Sequence, residues 1–166
     1  MSLYLQATIM RVWAPKGKTP VVRCDPSRPK TCFYGSLDLK HGHEFVMQAD
    51  QMTSNMTAQY LHALLEALPQ PILLLWDRAP WHNGAAIREI LAAHPRLEVM
   101  LFPVASPELN PQEHVWKDTR QTVTHNHDVA HLKPLAAAVV EHLEHTTFDS
   151  SFLRRYGYEP LCTAFK

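Results

Sequence analysis

Two periodicities divide the chain. Up to about residue 50 the apolar positions come in short, partly alternating runs: "LYLQATIMRVW", "TPVVR", "TCFYGSLDL" and "EFVMQA". Alternation of this kind, rich in β-branched and aromatic residues, predicts strands. "APKG" ends the first run as a turn, and "HGH" at 41–43 makes a hairpin turn into the fourth. The expected arrangement is an antiparallel meander. Near residue 53 the period changes. Met56, Tyr60, Leu61, Leu64, Leu65 and Leu68 fall on one helical face. That spacing predicts an amphipathic helix capped by Thr53 or Ser54 and stopped by Pro69.

The second half alternates strand and helix. "PILLLWD" is short, continuously apolar and closed by an acid, as expected of a central strand buried on both faces. A helix is expected after Asn83 and before Pro95, then a strand in "LEVMLFP", then a helix running to about Thr122. "HNHD" interrupts the chain. "VAHLKPLAAAVVEHLEHT" predicts a helix with Pro134 in its first turn, and "FDSSFLRRYGYEP" a short helix or coil. An antiparallel start followed by βαβα crossovers implies an α/β fold, a mixed sheet with helices on both faces. Without repeats, low-complexity segments or a composition break, residues 1–166 read as one domain.

Composition narrows the class. Apolar residues make up 46% and charged ones 19%, a globular balance. Sixteen Lys+Arg cancel sixteen Asp+Glu, so no global charge marks a nucleic-acid binder, although a local basic groove remains compatible. Cys24, Cys32 and Cys162 form no CxxC pair, as in a reduced, cytoplasmic protein. No signal peptide and no apolar run of membrane-spanning length is present. The pairs in "HGH" and "HNHD" lack a cysteine pair and make a weak case for zinc. Arg11, Lys16 and Lys18 read as a solvated turn. Trp13, Trp76, Trp81 and Trp116 read as core or rim aromatics.

Two carboxylates stand out. Asp77 ends the most apolar strand, and ligands of open α/β sheets gather at the carboxyl ends of strands. Asp77 can equally be a turn cap in "DRAP". Glu113 lies in "SPELNPQEHVWK", where Asn110 suits the N-cap, Pro111 the first helical position, and Glu113 the third. There it can close a capping box or supply a carboxylate for chemistry. Glu108 is a further candidate in the same stretch.

Together, Asp77 at a strand end, His82 and "FPVASPELNPQEHVWK" closely resemble the catalytic domain of DDE-type transposases. The nearest group is the bacterial insertion-sequence transposases related to the mariner superfamily. The motif Ser-Pro-x-Leu-Asn-Pro-x-Glu-x-x-Trp is specific to them, and "RVWAPKGKTPVV" resembles their early β-hairpin. The 35 residues between Asp77 and Glu113 match the family's spacing.

The resemblance implies a ribonuclease-H-like fold and two-metal phosphoryl transfer with Mg²⁺ or Mn²⁺ on transposon-end and target DNA. Asp77 becomes the second metal-binding Asp and Glu113 the third carboxylate. Arg78, His82, Asn110, Lys117 and Arg120 are the expected DNA-binding residues, in a bacterial, nucleoid-associated protein. The family's first Asp, on the first and central strand, has no counterpart: no Asp precedes Asp25, and Asp38 and Asp50 do not match. The family's N-terminal helix-turn-helix has none either. The reading therefore expects an N-terminally truncated transposase domain, impaired as an isolated chain, that pairs with a missing fragment or a second copy. Its rival is a non-catalytic remnant acting as a subunit-binding module.

Overall fold

The computed structural model describes residues 1–21, 28–104 and 106–148. Three antiparallel strands come first: β1 (Ser2–Tyr4), β2 (Lys30–Leu37) and β3 (Glu44–Ala49), in the order β1-β2-β3. β2 and β3 pair from Cys32↔Ala49 to Leu37↔Glu44. The expected turn joins them. Gly42 adopts φ +75° and donates its N–H to the Asp38 carbonyl, while the Asp38 side chain accepts from the Lys40 and His41 amides. After α1 (Ser54–Ala67), strands β4 (Ile72–Trp76) and β5 (Leu97–Leu101) form a parallel pair linked through α2 (Ala85–Ala93). Then follow α3 (Pro111–Thr119), a π-helical turn (Arg120–Thr124) and α4 (Leu132–His145).

The alternation of β2 sorts the helices onto two faces. Phe33 points into a core built with Leu3, Val115, Trp116, Val139 and Leu143, and thus carries α3 and α4. Tyr34 points into the other, with Leu61, Leu65, Trp76, Ile87 and Ile90, and carries α1 and α2. Each large apolar side chain fully buried in this way contributes roughly 1.5–3 kcal/mol. α1 starts where expected: Thr53 Oγ1 accepts the Met56 amide at 3.2 Å.

Two expectations need correction. The run from Leu3 to Trp13 is not one strand. β1 ends at Tyr4, Thr8 makes only an isolated bridge to His125, and residues 9–21 carry no regular structure. Pro15 and Pro20 lack backbone donors, and Gly17 at φ +83° lets a turn form, with the Lys18 amide on the Pro15 carbonyl. Asn126, itself at φ +53°, takes the place of a partner strand. Its Oδ1 accepts from the Met10 N–H, and its Nδ2 donates to the Met10 C=O. The resulting arm is exposed throughout and includes a fully exposed Trp13.

Second, β4 is not buried on both faces. Ile72, Leu74 and Trp76 pack on α1 and α2, but Ile72 to Leu75 are only half-buried, and neighbouring Met100 on β5 is exposed. The expected α/β fold with both parallel and antiparallel pairing forms; among the described residues the two kinds of pairing lie in two separate hydrogen-bonded sheets. The expected "TPVVR" strand falls partly, and the "FDSSFLRRYGYEP" segment largely, outside the described residues, as do Cys24, Asp25 and Cys162.

Candidate active site

The carboxyl ends of β4 and β5 lie side by side, and the Phe102 amide donates to the Trp76 carbonyl at 2.8 Å. Asp77 leaves the sheet at this point. Its Oδ1 accepts from the Ala79 amide at 3.0 Å and lies 2.7 Å from His82 Nδ1. The 3-10 turn Pro80–His82 folds the histidine back, and its ring lies 4.3 Å, centroid to centroid, from that of Trp76. The His82 hydrogen bond, then the Ala79 amide, hold the Asp77 carboxyl below its ordinary range, against an opposing push from partial burial. The Asp77 side chain remains about half exposed (49%), and its Oδ2 is not engaged by any hydrogen bond among the described residues. Asp77 is thus both a turn cap and an accessible acid.

The loop after β5 carries the second acid. A 3-10 turn (Pro107–Leu109) delivers the chain to Asn110, which caps α3 by accepting the Gln112 amide at 3.1 Å; Pro111 occupies the first helical position. The reciprocal half of a capping box does not form. The Asn110 amide goes to the Pro107 carbonyl instead. That leaves the Glu113 carboxylate exposed and free of hydrogen bonds among the described residues. Glu108, on the 3-10 turn, does not line the cleft.

Asp77, Arg78, Asn110 and Glu113 line one cleft of about 250 Å³, floored by Phe102 and Pro107. Arg78 donates Nε–H to the Phe102 carbonyl at 3.1 Å and also lines the adjoining cleft, which holds His82 and Asn83. Lys117 and Arg120 line neither cleft. Lys117 follows Glu113 by one turn of α3, and Arg120 opens the π-helical turn that follows the helix. His82 is largely buried (14%) and committed to Asp77 and Trp76, so its geometry is that of a support for the acid.

Hard divalent cations such as Mg²⁺ and Mn²⁺ prefer carboxylate oxygens. Asp77 and Glu113 both line one cleft and present carboxylate oxygens, the donor type such ions prefer. Among the described residues no group of three or more His, Cys, Asp or Glu side chains is set to hold a metal.

Residues 2–136 match the model of the DDE superfamily endonucleases. The chain belongs to that family. Its fold is ribonuclease-H-like, shared with solved transposase structures. The Mos1 transposase paired-end complex with left transposon end is similar at 17% identity and TM-score 0.69, over 94% of this chain and 48% of that one. The catalytic domain of Mos1 mariner transposase is similar at 18% identity and TM-score 0.59, over 84% and 72%. The same catalytic domain with raltegravir and Mn gives 17% and 0.60, over 82% and 76%. The chain spans about half the length of the first of these. No curated protein matches it. Among the described residues no helix is long and apolar enough to cross a membrane.

Sequence reasoning missed two residues behind this site, Gln112 and Glu44. Gln112 Nε2 donates to Glu44 Oε1 at 2.6 Å and its Oε1 accepts from the Leu37 amide at 3.1 Å. The contact spans 68 residues, and nothing local to either position signals it.

Proposed function

We propose that the chain is a transposase catalytic domain that cleaves and joins phosphodiester bonds at transposon ends with Mg²⁺ or Mn²⁺. One observation carries the reading: Asp77 and Glu113, from the end of β4 and the first turn of α3, line the same cleft with oxygens to spare. Both would hold the metal, which when bound supplies charge stabilisation and an activated oxygen nucleophile. His82 and the Ala79 amide fix the Asp77 carboxylate, so little reorganisation accompanies binding. Arg78 reaches across both strand ends to engage a phosphate beside the cleft, and Asn110 offers an amide at its rim. Lys117 on α3 and Arg120 on the π-helical turn after it supply positive charge for the flanking DNA backbone.

The test is Mn²⁺ binding followed by electron paramagnetic resonance, with nicking of supercoiled DNA beside it, in wild type, Asp77→Ala and Glu113→Ala. Loss of binding in both variants is expected. Binding indifferent to both substitutions overturns the reading.

A second reading, a subunit-binding module without cleavage, is favoured by one feature. Asp77 and Glu113 are the only acids lining the cleft among the described residues, where the resemblance implies three. Mn²⁺ binding without nicking, together with pull-down of a second, tagged copy, supports it. A monomeric chain that nicks DNA excludes it.

A further inference from the structure

We infer that Gln112 is the positioning residue for Glu113: its side-chain amide clasps one register pair of the antiparallel sheet and so fixes the first turn of α3. Leu37 and Glu44 face each other at the end of the β2–β3 ladder. Gln112 takes one hydrogen bond from each side of that pair, accepting the Leu37 N–H at 3.1 Å and donating to Glu44 Oε1 at 2.6 Å. β1 pairs only with Lys30 to Cys32, so Leu37 lies beyond its reach, on a stretch of β2 edge without a β1 partner. A glutamine side chain satisfies that edge where a strand otherwise would.

Three further facts show that the clasp is built rather than incidental. Glu44 is buried, and desolvation pushes its carboxyl up to about 8, so the neutral acid is the form that receives the amide at neutral pH. A Cβ on Gly35 would collide with the Glu44 carboxyl and with the indole of Trp116, so β2, β3 and α3 meet at a point where only glycine fits. Trp116 lies one turn after Gln112, on the buried face of α3. Gln112 and Trp116 together pin the helix start, and Glu113, the next residue, takes its direction from them. Gln112 touches no substrate. Its effect on chemistry runs through Glu113 and rests on the reading of Glu113 as a metal ligand, while the clasp itself does not.

The experiment compares Gln112→Leu, which keeps the aliphatic bulk and removes both hydrogen bonds, with Glu44→Gln, which keeps an acceptor for Gln112. Gln112→Asn, too short to reach both sides, serves if the leucine variant fails to fold. Amide hydrogen exchange resolved by NMR is read in the full metal-free chain. Exchange of the Leu37, Gln112 and Glu113 amides rises about tenfold in Gln112→Leu and stays near wild type in Glu44→Gln, with α1 amides unchanged in both. The Mn²⁺ dissociation constant rises about tenfold in Gln112→Leu alone. Unchanged exchange at Leu37 and Glu113 in Gln112→Leu overturns the clasp. Faster exchange with unchanged Mn²⁺ affinity overturns its role in aiming Glu113. Absence of Mn²⁺ binding in wild type sinks the metal reading instead, and the exchange data then decide the clasp on their own.

Discussion

Replacing Glu44 by glutamine changes how stability depends on pH, and the size of the change follows from burial. The carboxyl titrates near 4.5 in the unfolded chain and, raised by burial, at about 8 in the folded one. Between those values the unfolded state gives up a proton that the folded state keeps. The folded state therefore binds more protons, and stability falls as pH rises, by about 1.4 kcal/mol per pH unit. Below pH 4.5 the penalty is absent, and above 8 it levels off. At pH 7 it amounts to about 3 kcal/mol.

Glutamine cannot ionise, so the variant lacks this slope. Its amide places a donor where the neutral acid already carries its O–H on the unpartnered Glu44 Oε2, so any remaining offset is nearly independent of pH. The assay is urea unfolding at pH 5, 6, 7 and 8, plotted as wild type minus variant. His127 and the amino terminus are both pulled down by burial; the difference removes the His127 contribution, whereas the amino terminus interacts electrostatically with Glu44 and stays part of the difference. The expected plot falls steadily toward pH 8 by about 3–4 kcal/mol. A flat difference shows that Glu44 is ionised or hydrated in the folded state and refutes the account of its burial as a neutral acid.

Four other substitutions probe separate parts of the structure. Gly35→Ala sets a methyl against the Glu44 carboxyl and Trp116, and is expected to cost about 1–3 kcal/mol in urea unfolding. Asn110→Ala removes the cap of α3, lowering stability by about 1 kcal/mol, and a loss below a few tenths in the same assay contradicts the capping role. His82→Ala removes the strongest influence on Asp77, so the Asp77 carboxyl titrates at higher pH by NMR, and an unchanged midpoint counters the assignment. Asn126→Ala frees the arm, so trypsin cuts faster after Arg11, Lys16 and Lys18, while an unchanged rate means the two Met10 hydrogen bonds do not hold it.

What the chain reveals locally is its helices and its acid-bearing turns. The face from Tyr60 to Leu65, the Thr53 cap and the Asn110-Pro111 start are written in neighbouring residues, and each forms as those neighbours dictate. The limits of the strands are not written there. "LYLQATIMRVW" has the composition of a strand, but pairing depends on a partner, and a side chain 116 residues away occupies the backbone of Met10 instead. "PILLLWD" has the composition of a doubly covered strand, yet only one of its faces receives helices. The site divides in the same way. Asp77 and Glu113 carry recognisable surroundings, whereas Glu44 and Gln112 are ordinary polar residues until β3 and α3 meet.

Trp13 gives the arm an optical handle. Trp76 and Trp116 are buried and Trp81 is half-buried, while the indole of Trp13 stands fully in water. Its emission is therefore the red-shifted part of the protein's fluorescence, and acrylamide reaches it first. Any surface that closes over the arm, whether duplex DNA or another protein, shifts that component to the blue and shields it from the quencher, so occupancy of the arm can be followed without a label.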